Sequence, residues 1–264
     1  MKKSHCFFAS AVASAALLGG CAVYVPTVPS TPLLRNKGDV EVTAAVGNPN
    51  TLETSVAWVP LPHLLVTGEA ALRASSDSQT RNNVTTTHES RHRQGGLGIG
   101  TYQLLGKNKA TYLGAIGGVG FATADLYYPS LVVAFILPLP GPDVHYEASY
   151  RRYYGQVYAA HLAARHSYGL SVRGTWVDYR SLVLAGKPVA LRNQFFLEPT
   201  VFMRAALGRG AFQVLGAVGC SAPVHKNFQR DDNENLAPFT TLCNLGIAVD
   251  PNRLFRRKAA VPQP

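Results

Sequence analysis

Eight histidines stand in this chain of 264 residues, so hydroxyl activation by an imidazole is the first chemistry its side chains suggest. His88, Glu89, Ser90 and His92 lie close together, and a histidine, a serine and a carboxylate can form a nucleophilic set in which the acid orients the ring. His166-Ser167 is a second pair of the same kind. Neither set comes with the Gly-x-Ser-x-Gly turn that would sharpen it, and both stand in polar stretches where solvated residues are the ordinary outcome. His88 and His92 have an i, i+4 spacing that serves a metal on a helix, but the surrounding sequence reads as loop. No catalytic residue, metal ligand or cofactor is therefore expected. Gly95-Gly96-Leu97-Gly98-Ile99-Gly100 has the glycine content of a phosphate loop, yet it runs into strand-like Thr101-Tyr102-Gln103 instead of a helix. Glycine on the inner wall of a curved sheet accounts for it better.

What positions these residues is a series of ten segments with period-2 alternation: Asp39–Val46, Leu52–Val59, Leu64–Ser75, Arg93–Leu105, Lys109–Ala124, Arg151–Arg165, Tyr168–Arg180, Gln194–Leu207, Ala211–Ala222 and Pro238–Val249. Most reach the length a tilted strand needs to cross a bilayer. In the fifth, Leu113, Ala115, Val119 and Phe121 share one face and Gly114, Gly118 and Gly120 the other. In the eighth, Phe195, Leu197, Val201 and Met203 oppose Glu198, Thr200 and Arg204. One face would meet lipid and the other a small or polar interior. Arg173 lies on the polar face of the seventh segment, so Arg173, Glu198 and Arg204 are candidates for the lumen. There they would act as a structural ion-pair plug or as a selectivity filter.

Connections alternate between short and long. The turns at Pro60–His63, Gly106–Asn108, His166-Ser167 and 208–210 are short; Ser76–His92, Asp125–Tyr150, Ser181–Asn193 and Pro223–Ala237 are long. The first connection on the long side, Gly47–Thr51, is short. With an even strand count, both ends of the barrel chain fall on the short-turn side. The apolar run Leu131–Leu137, bounded by prolines, lies in the longest loop as a strand extension, a lid or a binding patch.

The N-terminus gives an address. Met1-Lys2-Lys3 is positive, Cys6 to Leu18 is uncharged, and Leu18-Gly19-Gly20-Cys21 follows. This ending resembles the lipobox of bacterial lipoproteins. The resemblance implies removal of residues 1–20 and acylation of Cys21 with a diacylglyceryl group on sulfur and an acyl chain, such as palmitate, on nitrogen. Several acyl chains hold a protein on a membrane where one is marginal. Residues 21–38, with Pro26, Pro29 and Pro32, read as an acylated Pro-rich tether. Losing Lys2 and Lys3 lowers the formal charge from +10 to +8. The surplus is scattered apart from Arg256-Arg257-Lys258. It suits anionic headgroups or lipopolysaccharide rather than nucleic acid.

Cys220 and Cys243 are then the remaining thiols. They form no zinc motif, and they flank the last long loop, where a hairpin could oppose them as a disulfide or leave them as two small lipid-facing residues.

The chain as a whole resembles the small outer-membrane β-barrel proteins of Gram-negative bacteria, in a lipobox-bearing variety. The expected fold is all-β: one closed, antiparallel, up-and-down barrel of about ten strands (8–10), over residues 39–250, followed by a basic tail, 251–264. The expected role is a non-enzymatic structural or surface lipoprotein, or a narrow, porin-like channel, in the outer membrane of the cell envelope with its N-terminus in the periplasm. Two alternatives stay open: a periplasm-facing, lipocalin-like barrel binding a lipid or apolar ligand, and a lipid A-modifying enzyme. The expected partner is outer-membrane lipid; nothing in the sequence sets an oligomeric state.

Overall fold

The computed structural model describes residues 23–47, 50–81, 84–134, 137–190, 193–208, 210–224 and 239–255, with side chains described outside 77–87, 128–144 and 255. The expected signal segment, Cys21 and the basic triplet 256–258 lie outside the described residues. The strands are β1 (Val40–Gly47), β2 (Thr51–Trp58), β3 (Leu64–Arg81), β4 (Val84–Leu105), β5 (Thr111–Ala134) and β6 (Leu137–Leu162). They continue as β7 (His166–Leu184), the two-residue β8 (Lys187–Pro188), β9 (Gln194–Leu207), β10 (Phe212–Pro223) and β11 (Thr240–Val249). All but β8 form the wall. Neighbours pair antiparallel in chain order, and β1 pairs with β11 to close the ring.

Closure can be followed residue by residue. A row of paired residues starting at Ala148 on β6 passes through Ala124, His92, Arg73, Thr51, Gly47, Asn244, Ala217, Phe202 and Gly169. It returns to β6 at Ala160, nearer the C-terminal end of that strand. That offset is the stagger a tilted, closed barrel requires, and no sheet edge is left in the ring.

Side chains alternate as the period-2 pattern predicts. Large apolar residues such as Leu97, Val157, Val201, Met203 and Leu245 are more than half exposed on the outer wall. The inner wall carries Glu41, His92, Gln94, Arg152, Arg173, Glu198 and Arg204, all buried. A water-soluble barrel has the opposite arrangement, so the outside is built for lipid. This overturns the lipocalin-like alternative, whose lumen must be apolar and free for a ligand.

Two expected loops are strands. Ser76–His92 belongs to the β3–β4 hairpin, paired down to Arg81↔Val84, and Asp125–Tyr150 belongs to β5–β6, paired to Ala134↔Leu137 with a bulge at Pro129/Leu131. Apolar alternation reports only the part of a strand that faces lipid. Where the hairpins rise into water the outer face turns polar, and the signal vanishes although the ladder continues. Leu131–Ala134 and Leu137 therefore lie near the tip of a tall hairpin.

The segment expected to be a tether is inside the barrel. Val23, Tyr24, Val25, Thr27, Thr31 and Leu34 are buried within the ring. The chain reverses at residues 35–39: the backbone amides of Arg35 and Asn36 donate to Asp39 Oδ2 at 3.2 and 2.9 Å. Gly38 takes φ +85° while its amide reaches Val59 O at 2.7 Å. That left-handed conformation suits glycine, and it turns the chain out of the lumen into β1. At the same mouth a short helix, Pro251–Phe255, follows β11, and Asn252 donates to Gly38 O at 2.7 Å.

Candidate functional site

The lumen is the only place among the described residues where so many charged side chains are drawn together out of water. Its centre is Glu198 on β9. Arg173 Nε on β7 donates to Glu198 Oε2 at 2.6 Å, and Thr175 Oγ1 donates to the same oxygen at 3.0 Å. Tyr24 OH, from the inserted segment, donates to Oε1 at 2.9 Å, and Ser221 Oγ at 3.2 Å. Arg173 Nη1 lies 3.7 Å from Glu69 on β3, which also pairs with Arg152 on β6. Toward the short turns, Arg204 Nη1 bonds Glu41 Oε2 at 2.7 Å. Each charge is paired and hydrogen-bonded, which ionised groups require when removed from bulk water.

The inserted segment fits this wall because of what its sequence lacks. From Cys21 to Leu34 it has no charged residue, and Pro26, Pro29 and Pro32 have no backbone N–H. It therefore presents mainly carbonyls, and the wall supplies donors. Thr27 O and Thr31 O accept from Arg173 Nη2 and Arg204 Nη2, each at 2.5 Å. Ser30 O accepts from Gln156 at 2.7 Å, Pro32 O from Tyr158 at 2.9 Å and Arg35 O from Tyr102 at 2.8 Å. Two of its amides donate to the wall: Val25 N reaches Tyr150 OH at 3.3 Å, and Val28 N reaches Glu53 Oε1 at 3.1 Å.

Both ends of the segment are sealed by apolar packing. Val23, Tyr24 and Val25 cluster with Tyr146, Tyr150, Tyr179, Leu182, Leu184 and Phe196, toward the long hairpins. Leu34 clusters with Val59, Leu65, Tyr102, Tyr112 and Leu162, toward the short turns. A cavity of about 60 Å³ remains beside Thr27, Ser30, Glu53 and Asn244. Polar and apolar groups both line it, and it has room for a few waters at most.

No protein-family model matches the chain, and no curated protein matches it. Among solved structures it is similar to the outer membrane protease OmpT of Escherichia coli, at TM-score 0.44 and 10% identity over 81% of this chain and 94% of that one. It is also similar to CarO2 of Acinetobacter baumannii, at TM-score 0.31 and 11% identity over 82% and 100%, and to CarO of the same organism at TM-score 0.24 and 11% identity over 81% and 98%. At these values the barrel is established by the chain's own strand pairing.

Of the residues singled out from sequence, Arg173, Glu198 and Arg204 are all buried in the lumen, the first two in direct contact. The histidine sets do not assemble. His88–His92 lies on β4 instead of a loop, and strand alternation sends Ser90 and His92 inward while Glu89 points out to Arg91, 2.6 Å away. His92 Nε2 meets Tyr150 OH at 3.3 Å beneath the inserted segment. His166 and Ser167 begin β7 at the opposite, short-turn end. Among the described residues no cluster of histidine, cysteine and carboxylate is placed to hold a metal.

The disulfide drawn between Cys220 and Cys243 is not made: both are free. Cys220 pairs with Thr241 and Cys243 with Val218, a diagonal offset at which Cα atoms lie too far apart to bridge without backbone movement.

Sequence reasoning missed Tyr24, Glu41, Glu53, Glu69 and Arg152. A signal for the last was present: Tyr146, Tyr150, Arg152, Tyr154, Gln156 and Tyr158 form one even-numbered stripe of large polar side chains along β6. Such a stripe on an inner wall needs something to bond to.

Proposed function

We propose that the chain is an outer-membrane lipoprotein, acylated at Cys21, whose barrel is stoppered by its own N-terminal segment. Its role is structural or surface-presenting, without catalysis or diffusion. The observation carrying this reading is the lumen filled by residues 23–34, with five donors on four strands matched to carbonyls of residues 27–35. A diffusion channel needs a water-filled path, and a filter needs charges left open to ions; here Arg173 and Arg204 are spent on Glu198, Glu41 and the plug.

Acylation would exchange the Cys21 thiol hydrogen for a diacylglyceryl carbon of a glycerophospholipid, the phosphate headgroup leaving with the proton. The exposed apolar wall favours an integral barrel in addition to that anchor. Outward-facing Arg93 and Arg151, on the long-hairpin side of Leu97 and Val119, offer positive charge to anionic headgroups or lipopolysaccharide phosphates. The separation of Glu89 from Ser90 and His92 supports a non-enzymatic role.

Reconstitution into planar bilayers tests the stopper. The full-length protein is expected to be electrically silent, and a variant lacking residues 23–34 to conduct ions through the uncovered lumen. Steady conductance by the full-length protein would overturn the reading.

A further inference from the structure

The direction in which the plug runs has a consequence for the anchor. Its hydrogen bonds descend β6 in order: Val25 to Tyr150, Ser30 to Gln156, Pro32 to Tyr158. The chain therefore enters at the mouth with the long hairpins and reaches the mouth with the short turns at Arg35, where Tyr102 holds it. From Val25 to Arg35 at about 3.1 Å per residue is roughly 30 Å, close to the thickness of a bilayer's hydrocarbon core. Cys21 precedes Val23 by two residues, which reach about 7 Å at most. The acylated end thus belongs to the long-hairpin side.

The rim on that side is uneven. β1 ends at Gly47 and β2 begins at Thr51, whereas β5 and β6 continue to Ala134 and Leu137. Val28 N is level with Glu53, one inward position below the end of the low wall at Thr51. Residues before Val28 stand above the β1–β2 rim and lean on the tall side: Tyr24 packs against Phe196 with ring centroids 4.5 Å apart and against Tyr150 at 5.8 Å. β1 and β2 themselves do not rise beside the start of the plug.

We propose that the N-terminus leaves the barrel through its long-hairpin mouth and crosses the low β1–β2 rim, so that the acyl chains on Cys21 insert into the outer leaflet of the outer membrane. The partner of this site is that leaflet's acyl layer. The proposal rests on the stoppered-lipoprotein reading above and departs from the expectation of a periplasmic N-terminus. An anchor in the periplasmic leaflet would require residues 23–34 to leave the lumen, because the reversal at 35–39 already fills the short-turn mouth. Arg173 and Arg204 would then lose their bonds to Thr27 O and Thr31 O.

The test places one short epitope tag at each of three sites in separate full-length proteins: between Ala22 and Val23, after Gly186 in the turn beside β8, and after Lys107 in a short turn. Antibody binding is read on intact cells and after outer-membrane permeabilisation. Folding is checked by heat-modifiable gel mobility, and acylation by mass spectrometry of the N-terminal peptide. The expected result is an acylated Cys21, with the 22/23 and Gly186 tags bound on intact cells and unchanged by permeabilisation, and the Lys107 tag bound only after it. If the Gly186 tag is reached and the 22/23 tag only after permeabilisation, the outer-leaflet anchor is overturned. If Cys21 carries no acyl group the anchor is likewise overturned, while silent conductance would still support the stopper. Should Lys107 be reached and Gly186 not, the barrel's orientation falls, and the anchor proposal with it.

Because a tag near the plug could disturb folding, a second measurement uses the pair Thr27→Cys and Gln94→Cys. These residues touch through the Gln94 amide and Thr27 Oγ1 at 3.1 Å. Linkage of the two thiols by a short bifunctional maleimide in the acylated, folded protein from cells supports the threaded plug, and failure to link them opposes the proposal.

Discussion

Glu198 is wholly buried and receives hydrogen bonds from Arg173, Thr175, Tyr24 and Ser221, so two wall strands and the plug meet on one carboxylate. Removing one partner of such a buried pair typically costs about 3–5 kcal/mol, because the other charge stays in place without its counterion. Glu198→Ala is expected to lower the denaturant midpoint of the folded barrel accordingly. Glu198→Gln, which keeps an acceptor for Tyr24, should lose less. An unchanged midpoint in Glu198→Ala would mean that waters replace the carboxylate and that the pair is not what holds the plug. The same logic explains why the candidate histidines do no chemistry together. On a strand, adjacent residues point to opposite faces, and Glu89 and Ser90 are adjacent.

At the scale of the element, β5 is shaped by the strand beside it. A Cβ on Gly118 would collide with the Tyr154 ring, and one on Gly120 would stand 2.7 Å from Arg152 Nε. The inward glycines of β5 thus make room for the large side chains of β6, where Tyr150, Gln156 and Tyr158 bond the plug. Gly117 on the same strand faces lipid, where the nearest atom to an added Cβ is 3.8 Å away. Gly118→Val is therefore expected to reduce the heat-resistant folded fraction, through overpacking that usually costs about 1–3 kcal/mol, while Gly117→Val leaves it unchanged. Equal behaviour of the two variants would deny that strand alternation decides the outcome. The plug follows a complementary rule. Three prolines remove three donors from the segment while every residue keeps its carbonyl, so a sequence that looks like a flexible spacer can meet a wall of donors.

For the whole molecule, the apolar belt and the closed ladder form a lipid-facing wall that needs no acyl chain to hold it in a membrane. A Cys21→Ser protein is expected to remain in the outer-membrane fraction with heat-modifiable mobility. Its recovery as a soluble periplasmic protein would defeat the integral-barrel reading. The plug's bonds reach β2, β4, β6, β7 and β9, on both sides of the β1–β11 seam, so plug and ring are expected to fold together.

The sequence by itself determined the barrel: ten alternating segments lie within the ten wall strands or overlap them closely, because lipid on one face and a crowded lumen on the other impose a strict period of two. It also pointed to Arg173, Glu198 and Arg204 as inward, by the same parity. It misjudged where β3 to β6 end, since the strand signal is a lipid signal and fades once both faces meet polar surroundings. The plug was decided only by the tertiary structure. An uncharged, proline-spaced segment is equally compatible with water and with a wall of donors. Which of the two it meets depends on Arg173, Gln156, Tyr158 and Arg204, which lie far along the chain and converge only when the ring closes.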